Sequence, residues 1–309
     1  MLIRNPKGWE IPEREATPEH VYLNRRQLLQ AAGFLGAESL LVGATEKGPY
    51  PAKRNPEFTL DRPVTEEWAA TSYNNFYEFD AMDKAAVKNK VGEFVVSPWT
   101  IEVTGKVNKP RKIDLDELLR TMPFEERLYR FRCVEAWSMA VPWTGFPFAE
   151  LVKLVEPKPD AKYVRFVTAH RPQQMPGIIK ANWYPWPYYE GLRMDEAMNP
   201  LTLLVTGLYG KPLPKQNGAP IRIITPWKYG YKSIKSIVKI EFVGKQPNTF
   251  WNDLQPAEYG FYSNVNPKKP HPRWTQAVEK VIPTMMQRPT LPYNGYEKWV
   301  ASLYNGKES

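Results

Sequence analysis

One cysteine and three histidines are all that 309 residues offer in the way of thiolate or imidazole ligands. A single thiol, Cys133, excludes an intrachain disulfide. His20, His170 and His271 stand far apart, and neither H-E-x-x-H nor C-x-x-C occurs, which argues against a zinc or haem site built from protein ligands. Glycine is sparse at 18 residues while proline reaches 31. Proline fixes φ and removes a donor, so long helices should be few and loops many but stiff. Long apolar runs are missing too. The best of them, Ala31 to Val42, is interrupted by Gly33, Gly36 and Glu38 and is too short to span a bilayer. The net charge of +9 is not gathered into a basic run, and no RNA-binding, zinc-finger or recognition-helix pattern appears. Nucleic acid is therefore disfavoured as a partner.

What remains is an aromatic-rich chain with an ordinary 42% apolar content, long enough for one or two domains with a sizeable core. The stretch Arg130 to Trp143, R-F-R-C-V-E-A-W-S-M-A-V-P-W, holds the lone thiol. Tyr129, Phe131 and Cys133 alternate with Arg130 and Arg132, which predicts a strand with the thiol beside two rings and the arginines on the opposite face. A lone cysteine is most often a buried, inert one. Cationic neighbours, however, favour the thiolate that binds a metal or attacks a substrate.

The first 44 residues differ from the rest. Arg25-Arg26 precede the weakly apolar stretch, and Val42-Gly43-Ala44 offers a small-residue cleavage pattern near Ala44. This resembles a twin-arginine export signal, with Asn24, Leu28 and Glu38 as departures from it. A free cysteine in an oxidising compartment is odd unless something occupies it. The expected division is thus 1–44 signal peptide and 45–309 single domain.

Further along, Asn74-Asn75 among the aromatics of Ala70 to Phe79 suit recognition of a flat heterocycle. Trp99 to Gly105 reads as a strand, and a helix follows with Asp114 as N-cap and Leu115, Leu118 and Leu119 on one face. Pro142, Gly145 and Pro147 are expected to break the chain before a short helix, Phe148 to Val155. Tyr163 to Ala169 reads as a buried strand with Thr168 near its end. The cluster Trp183-Tyr-Pro-Trp-Pro-Tyr-Tyr189 reads as the stiff wall of a cleft. Ile221 to Ile224 and Ile237 to Val243 are further strands. Asn217-Gly218 with Arg222, and Gly230, Lys232, Ser233 and Lys235, form two donor clusters that resemble a phosphate cradle without a P-loop. A last short helix is expected near Tyr296 to Tyr304. The fold expected is α+β, a β-rich mixed sheet with short helices and proline-stiffened loops.

Taken together, R-x-R-C-V-E-x-W-S-M-x-V-P-W around Cys133, N-N-F-Y-E-F at Asn74 to Phe79, and N-G-A-P-I-R with K-Y-G-Y-K-S-I-K resemble the sulfite-oxidase-type molybdopterin superfamily. Within it they are most similar to the periplasmic protein-methionine-sulfoxide reductase catalytic subunits. The resemblance implies a molybdopterin-binding fold with one Mo-molybdopterin per chain and Cys133 as the metal's thiolate ligand. It implies that Asn75, Glu78, Phe79, Thr168, Asn217, Arg222, Ser233, Ile234 and Lys235 hold the pterin and its phosphate. It further implies oxygen-atom removal from methionine sulfoxide in oxidised periplasmic proteins, with electrons from a haem-binding integral membrane subunit. Glu135 is a candidate to tune the metal or supply a proton, and Trp137, Trp143, Trp183 and Trp186 are candidates to line the substrate's entry. A sulfite oxidase-like enzyme, a non-enzymatic exported binding protein and a cysteine hydrolase using His170 or His271 as base are the competing readings.

Overall fold

The structure, a computed structural model, describes residues 49–304, which fall within one compact unit spanning 46–309. The segment 1–44, read from sequence as an export signal, lies outside the described residues. Among the described residues twelve strands follow one another. They begin with β1 (Thr100–Gly105), β2 (Arg111–Asp114), β3 (Glu125–Arg132), β4 (Trp137–Pro147), β5 (Tyr163–Thr168) and β6 (Tyr189–Arg193). They continue with β7 (Leu203–Leu208), β8 (Lys211–Pro212), β9 (Arg222–Ile224), β10 (Ile237–Val243), β11 (Val278–Val281) and β12 (Met286–Pro289). The helices among them are short, as the proline content predicts: α1 (Leu115–Thr121) and α2 (Phe148–Val155) are the two longest among the described residues.

The strands form two mixed sheets. The first runs β2-β1-β10-β5-β6, with β1 and β10 parallel and the other pairs antiparallel. Alternation sorts its faces: Ile101 and Val103 of β1, Val164 and Phe166 of β5, and Ile240 and Phe242 of β10 are buried, and they meet Leu118 of α1 and Leu151 and Val155 of α2. Asp114 caps α1 as expected, its carboxylate accepting from the Asp116 N–H at 2.8 Å. The second sheet is built on β4, which pairs with β3 along one edge and with β11 and β7 along the other. Its core gathers Tyr129, Met139, Val141, Trp143, Leu203, Val205 and Trp227.

Strand β4 corrects the expected chain break. Trp137–Pro147 is the longest strand among the described residues, and every residue but the last is buried. Pro142 turns its carbonyl, and so its ring nitrogen, to the side where β7 ends, taking the Tyr209 N–H at 3.1 Å, so the missing donor costs no bond to β3. Gly145 sits at a register shift between β4 and β7, where an added Cβ would fall on the Leu204 carbonyl. The glycine therefore lets two backbones close up rather than ending the strand.

Candidate active site

Strand β3 ends at Arg132, so Cys133 stands just past it, at the start of the tight turn into β4. Its N–H bonds back to the Trp137 carbonyl at 2.9 Å, and Ala136 takes a left-handed φ of 65° to close the turn. The turn aims Sγ into a cleft of about 1020 Å³, counting the space at its mouth. Residues from both sheets and from the loop 73–78 line this cleft. Of the residues the sequence singled out, Asn75, Glu78, Cys133, Glu135, Thr168, Asn217, Arg222, Ser233, Ile234 and Lys235 all line it. Phe79 does not. It is fully buried between Phe76 and Phe94 and supports the wall from behind.

A network of bonds ties the wall together. Asn75 Nδ2 donates to Cys133 Sγ at 3.4 Å and to Glu135 Oε2 at 3.2 Å. The same Glu135 oxygen accepts from Trp137 Nε1 at 3.2 Å and pairs with Lys84 Nζ at 3.0 Å. Thr168, at the end of β5, donates to the Lys235 carbonyl at 2.8 Å, and Lys235 Nζ donates to the Asn75 carbonyl at 2.7 Å. Arg222 bridges the two donor clusters, with Nη1 on the Asn217 carbonyl and Nη2 on the Ser233 carbonyl, each at 2.7 Å.

Electrostatics show what the cleft is short of. Burial lowers the Arg222 guanidinium to about 9, with no counter-charge opposing it, and desolvation pushes the half-buried Lys235 down and the buried Glu78 up. Asn74 Nδ2, Asn75 Oδ1, Asn217 Oδ1 and Arg222 Nε are buried with no hydrogen-bond partner among the described residues, and all four residues line the cleft. Orphaned amides and a buried guanidinium fit a polar heterocycle that carries an anionic group. The thiol runs against the sequence expectation. Burial, reinforced by the Glu135 carboxylate, pushes Cys133 up to about 12 despite Arg132 and Lys84. Burial thus favours the thiol, and a cation bound at Sγ would favour the thiolate.

The aromatic expectations divide. Trp137 and Trp143 line the cleft but lie deep, at 6% and 3% exposure, rather than at its mouth. Trp183, exposed at 71%, and Trp186 stand outside the cleft, in a cluster with Tyr184 and Phe250. That cluster reaches the cleft through Tyr77 and Trp251, which both line it together with Tyr259, Tyr188 and Tyr231. Tyr77, Tyr188 and Tyr231 belong to motifs the sequence had singled out, Tyr188 to the expected cleft wall; sequence reasoning missed Trp251, Tyr259 and Lys84, which share no motif. Neither His170 nor His271 lines the cleft; His271 pairs with Glu258 at 3.2 Å and stacks on Trp274. The cysteine-hydrolase reading thus lacks its base.

The cleft suits a molybdopterin-binding oxidoreductase, and the oxidoreductase molybdopterin binding domain model, which matches residues 88–251, puts the chain in that class. The chain belongs to the family of protein-methionine-sulfoxide reductase catalytic subunits (MsrP). It is 52% identical to the subunit of Burkholderia mallei, covering 97% of this chain and 95% of that one. Identity to the subunit of Xanthomonas axonopodis pv. citri is 50%, over 96% of each chain, and to that of Ralstonia nicotianae 48%, over 100% of this chain and 98% of that one. Among solved structures, the sulfane dehydrogenase SoxCD of Paracoccus pantotrophus aligns with 82% of this chain and 66% of its own at a TM-score of 0.44 and 13% identity, values too low to add to the assignment. No helix among the described residues is long and apolar enough to cross a membrane.

Proposed function

We propose that this chain reduces methionine sulfoxide in oxidised envelope proteins, as the catalytic subunit of a periplasmic repair system. The observation that carries this reading is near-full-length identity to relatives of that name, joined to a cleft whose orphaned polar atoms surround the single thiol. The reaction is R₂SO + 2e⁻ + 2H⁺ → R₂S + H₂O, and it reverses a common oxidative lesion.

When bound, one Mo-molybdopterin per chain supplies the oxygen-accepting, two-electron chemistry. The residues present fit it. Among the described residues no three His, Cys, Asp or Glu side chains gather at one point, so a metal beside Cys133 would take its other ligands from the cofactor. Asn75 and Asn217 would meet the pterin's polar edge, while Arg222, Lys235 and the Ser233–Lys235 backbone would hold its phosphate. Glu78 and Thr168 fix the wall that these groups share. Glu135, with three donors on one oxygen, is held beside Sγ where a proton is needed as water forms. Tyr77, Trp251 and Tyr259 would grip the thioether and exclude bulk water.

The division into an export signal, 1–44, and a catalytic domain, 45–309, fits a protein carried folded by the twin-arginine pathway. A catalytic subunit needs an electron donor, and a haem-binding membrane subunit would serve. The test is elemental analysis and pterin fluorescence on purified protein, wild type beside C133S, with sulfoxide reduction by an artificial donor. Stoichiometric molybdenum and activity in the wild type, with activity lost in C133S, are expected. A wild type without metal and pterin, from a host that makes the cofactor, would overturn the proposal in favour of an exported binding protein. Turnover of sulfite faster than of sulfoxides would favour the sulfite oxidase-like reading.

A further inference from the structure

The turn that carries Cys133 is braced from a distant part of the chain. Three of its carbonyls accept hydrogen bonds from the protein. The Cys133 carbonyl takes Arg132 Nη1, the Val134 carbonyl takes Gln276 Nε2 at 2.7 Å and Trp274 Nε1 at 2.8 Å, and the Ala136 carbonyl takes the Lys280 N–H at 2.7 Å. Arg132 is itself fully buried. Its Nη2 donates to Gln276 Oε1 at 2.8 Å and to Thr290 Oγ1 at 3.3 Å, and its Nε lies 3.3 Å from Glu279. Arg62 and Ser138 hold that carboxylate in turn, at 2.9 and 3.1 Å.

Among the described residues, Gln276 is therefore the one side chain that bonds both to the turn and to the guanidinium behind it. It is buried, at 2% exposure, and each end of its amide has one partner of the right sense. It sits outside the cleft and outside residues 88–251, which the domain model matches. The turn it secures contains a left-handed alanine, a conformation that survives only where the surroundings impose it.

We propose that Gln276 is a positioning residue for the cofactor's metal, acting through the Val134 carbonyl and Arg132 to set where Cys133 Sγ and Glu135 point. The proposal rests on the reading of Cys133 as the metal's thiolate. Groups behind a ligand fix its orientation and electronic character, and their loss typically costs about 10- to 100-fold in metal affinity or activity.

The variant to make is Gln276→Met, close in shape but without either hydrogen bond, in the full-length, cofactor-loaded enzyme. A second variant, Thr290→Val, removes only one of the Arg132 acceptors. Molybdenum and pterin content, the thermal transition, the Mo(V) electron paramagnetic resonance spectrum, the metal's midpoint potential, and kcat and KM for a small methyl sulfoxide should be compared with wild type. We expect Q276M to stay folded and loaded, with displaced g values, a shifted potential, kcat about tenfold lower and KM within about twofold. T290V should show a smaller displacement in the same direction. A folded Q276M chain that loads no metal would also support the proposal, since the thiolate would then be misplaced. Native spectra, potentials and kcat in both loaded variants would overturn it. Metal absent from the wild type would instead count against the functional reading on which it rests.

Discussion

Lys235 Nζ donates to the backbone carbonyl of Asn75 at 2.7 Å, joining positions 160 residues apart across the wall of the cleft. The lysine is half-buried along the cleft, and Thr168 holds its own carbonyl from the end of β5. Replacing Lys235 with Met removes the charge and frees the Asn75 loop. A charge-assisted hydrogen bond is worth about 1.5–3 kcal/mol, so cofactor retention should weaken by about 10- to 100-fold. Pterin fluorescence after extensive dialysis checks this, and full retention would remove Lys235 from the phosphate site.

Gly177 abuts the same wall from outside. An added Cβ would fall on the Tyr77 carbonyl and lie 2.7 Å from the Glu78 carbonyl. Both are backbone atoms of the cleft lining, so neither can swing away. Gly177→Ala should lower cofactor content and move the thermal transition down. Gly92→Ala, where the new methyl meets nothing within 4 Å, is the control expected to leave both unchanged.

Lys228 and Glu196 form an ion pair at 2.6 Å with both side chains at 0% exposure. Tyr304 OH donates to the same Glu196 oxygen at 2.6 Å, which anchors the end of the described chain to the core. Lys228→Met leaves the carboxylate buried and uncompensated and should destabilise the fold by about 3–5 kcal/mol. The double variant Lys228→Met, Glu196→Leu should recover much of that loss in chemical denaturation. A single variant as stable as wild type would contradict this account.

Stability should fall on acidification in two windows. Burial holds His271 below its usual 6.5, although Glu258 opposes that shift. The folded state then binds fewer protons than the unfolded chain below about pH 6.5, so stability declines as pH drops through that point. The second window belongs to Asp61 and Asp80, both held at about 2 against an ordinary 3.8, by Arg62 and Arg130 and by Lys90, whose bonds outweigh the cost of burial. Their contribution is present above the ordinary value and is lost as pH falls towards 2. His271→Gln should flatten the first window only, as read from thermal midpoints between pH 5 and 8.

Trp251 and Tyr259 line the cleft beside Tyr77. If they grip the incoming methionine sulfoxide, Trp251→Ala should raise KM for an oxidised protein substrate by about tenfold, the equivalent of about 1.4 kcal/mol. The Mo(V) spectrum should not change. A kcat loss with KM unchanged would place Trp251 elsewhere in the reaction.

Much of the site was legible in the order of residues alone. The lone thiol, the paired amides Asn74 and Asn75, and the basic clusters around Arg222 and Ser233 are local patterns, each carrying its chemistry in residue type and spacing. The strands β1, β5, β9 and β10 and the helix capped by Asp114 were legible for the same reason, since period and caps are local signals. Three things were not. Strand β4 was hidden by Pro142, Gly145 and Pro147, whose tolerance depends on what the neighbouring strand β7 offers them. At Cys133, burial and Glu135 outweigh the pull of Arg132, its neighbour in sequence. The Gln276 brace joins Val134 to a residue 142 positions away, and no periodicity encodes such a contact. Sequence determined which groups the protein has for binding a polar, anionic cofactor at a thiol. Tertiary structure alone decided which of them face one another, because dielectric surroundings, orphaned donors and long-range hydrogen bonds exist only once the two sheets have packed.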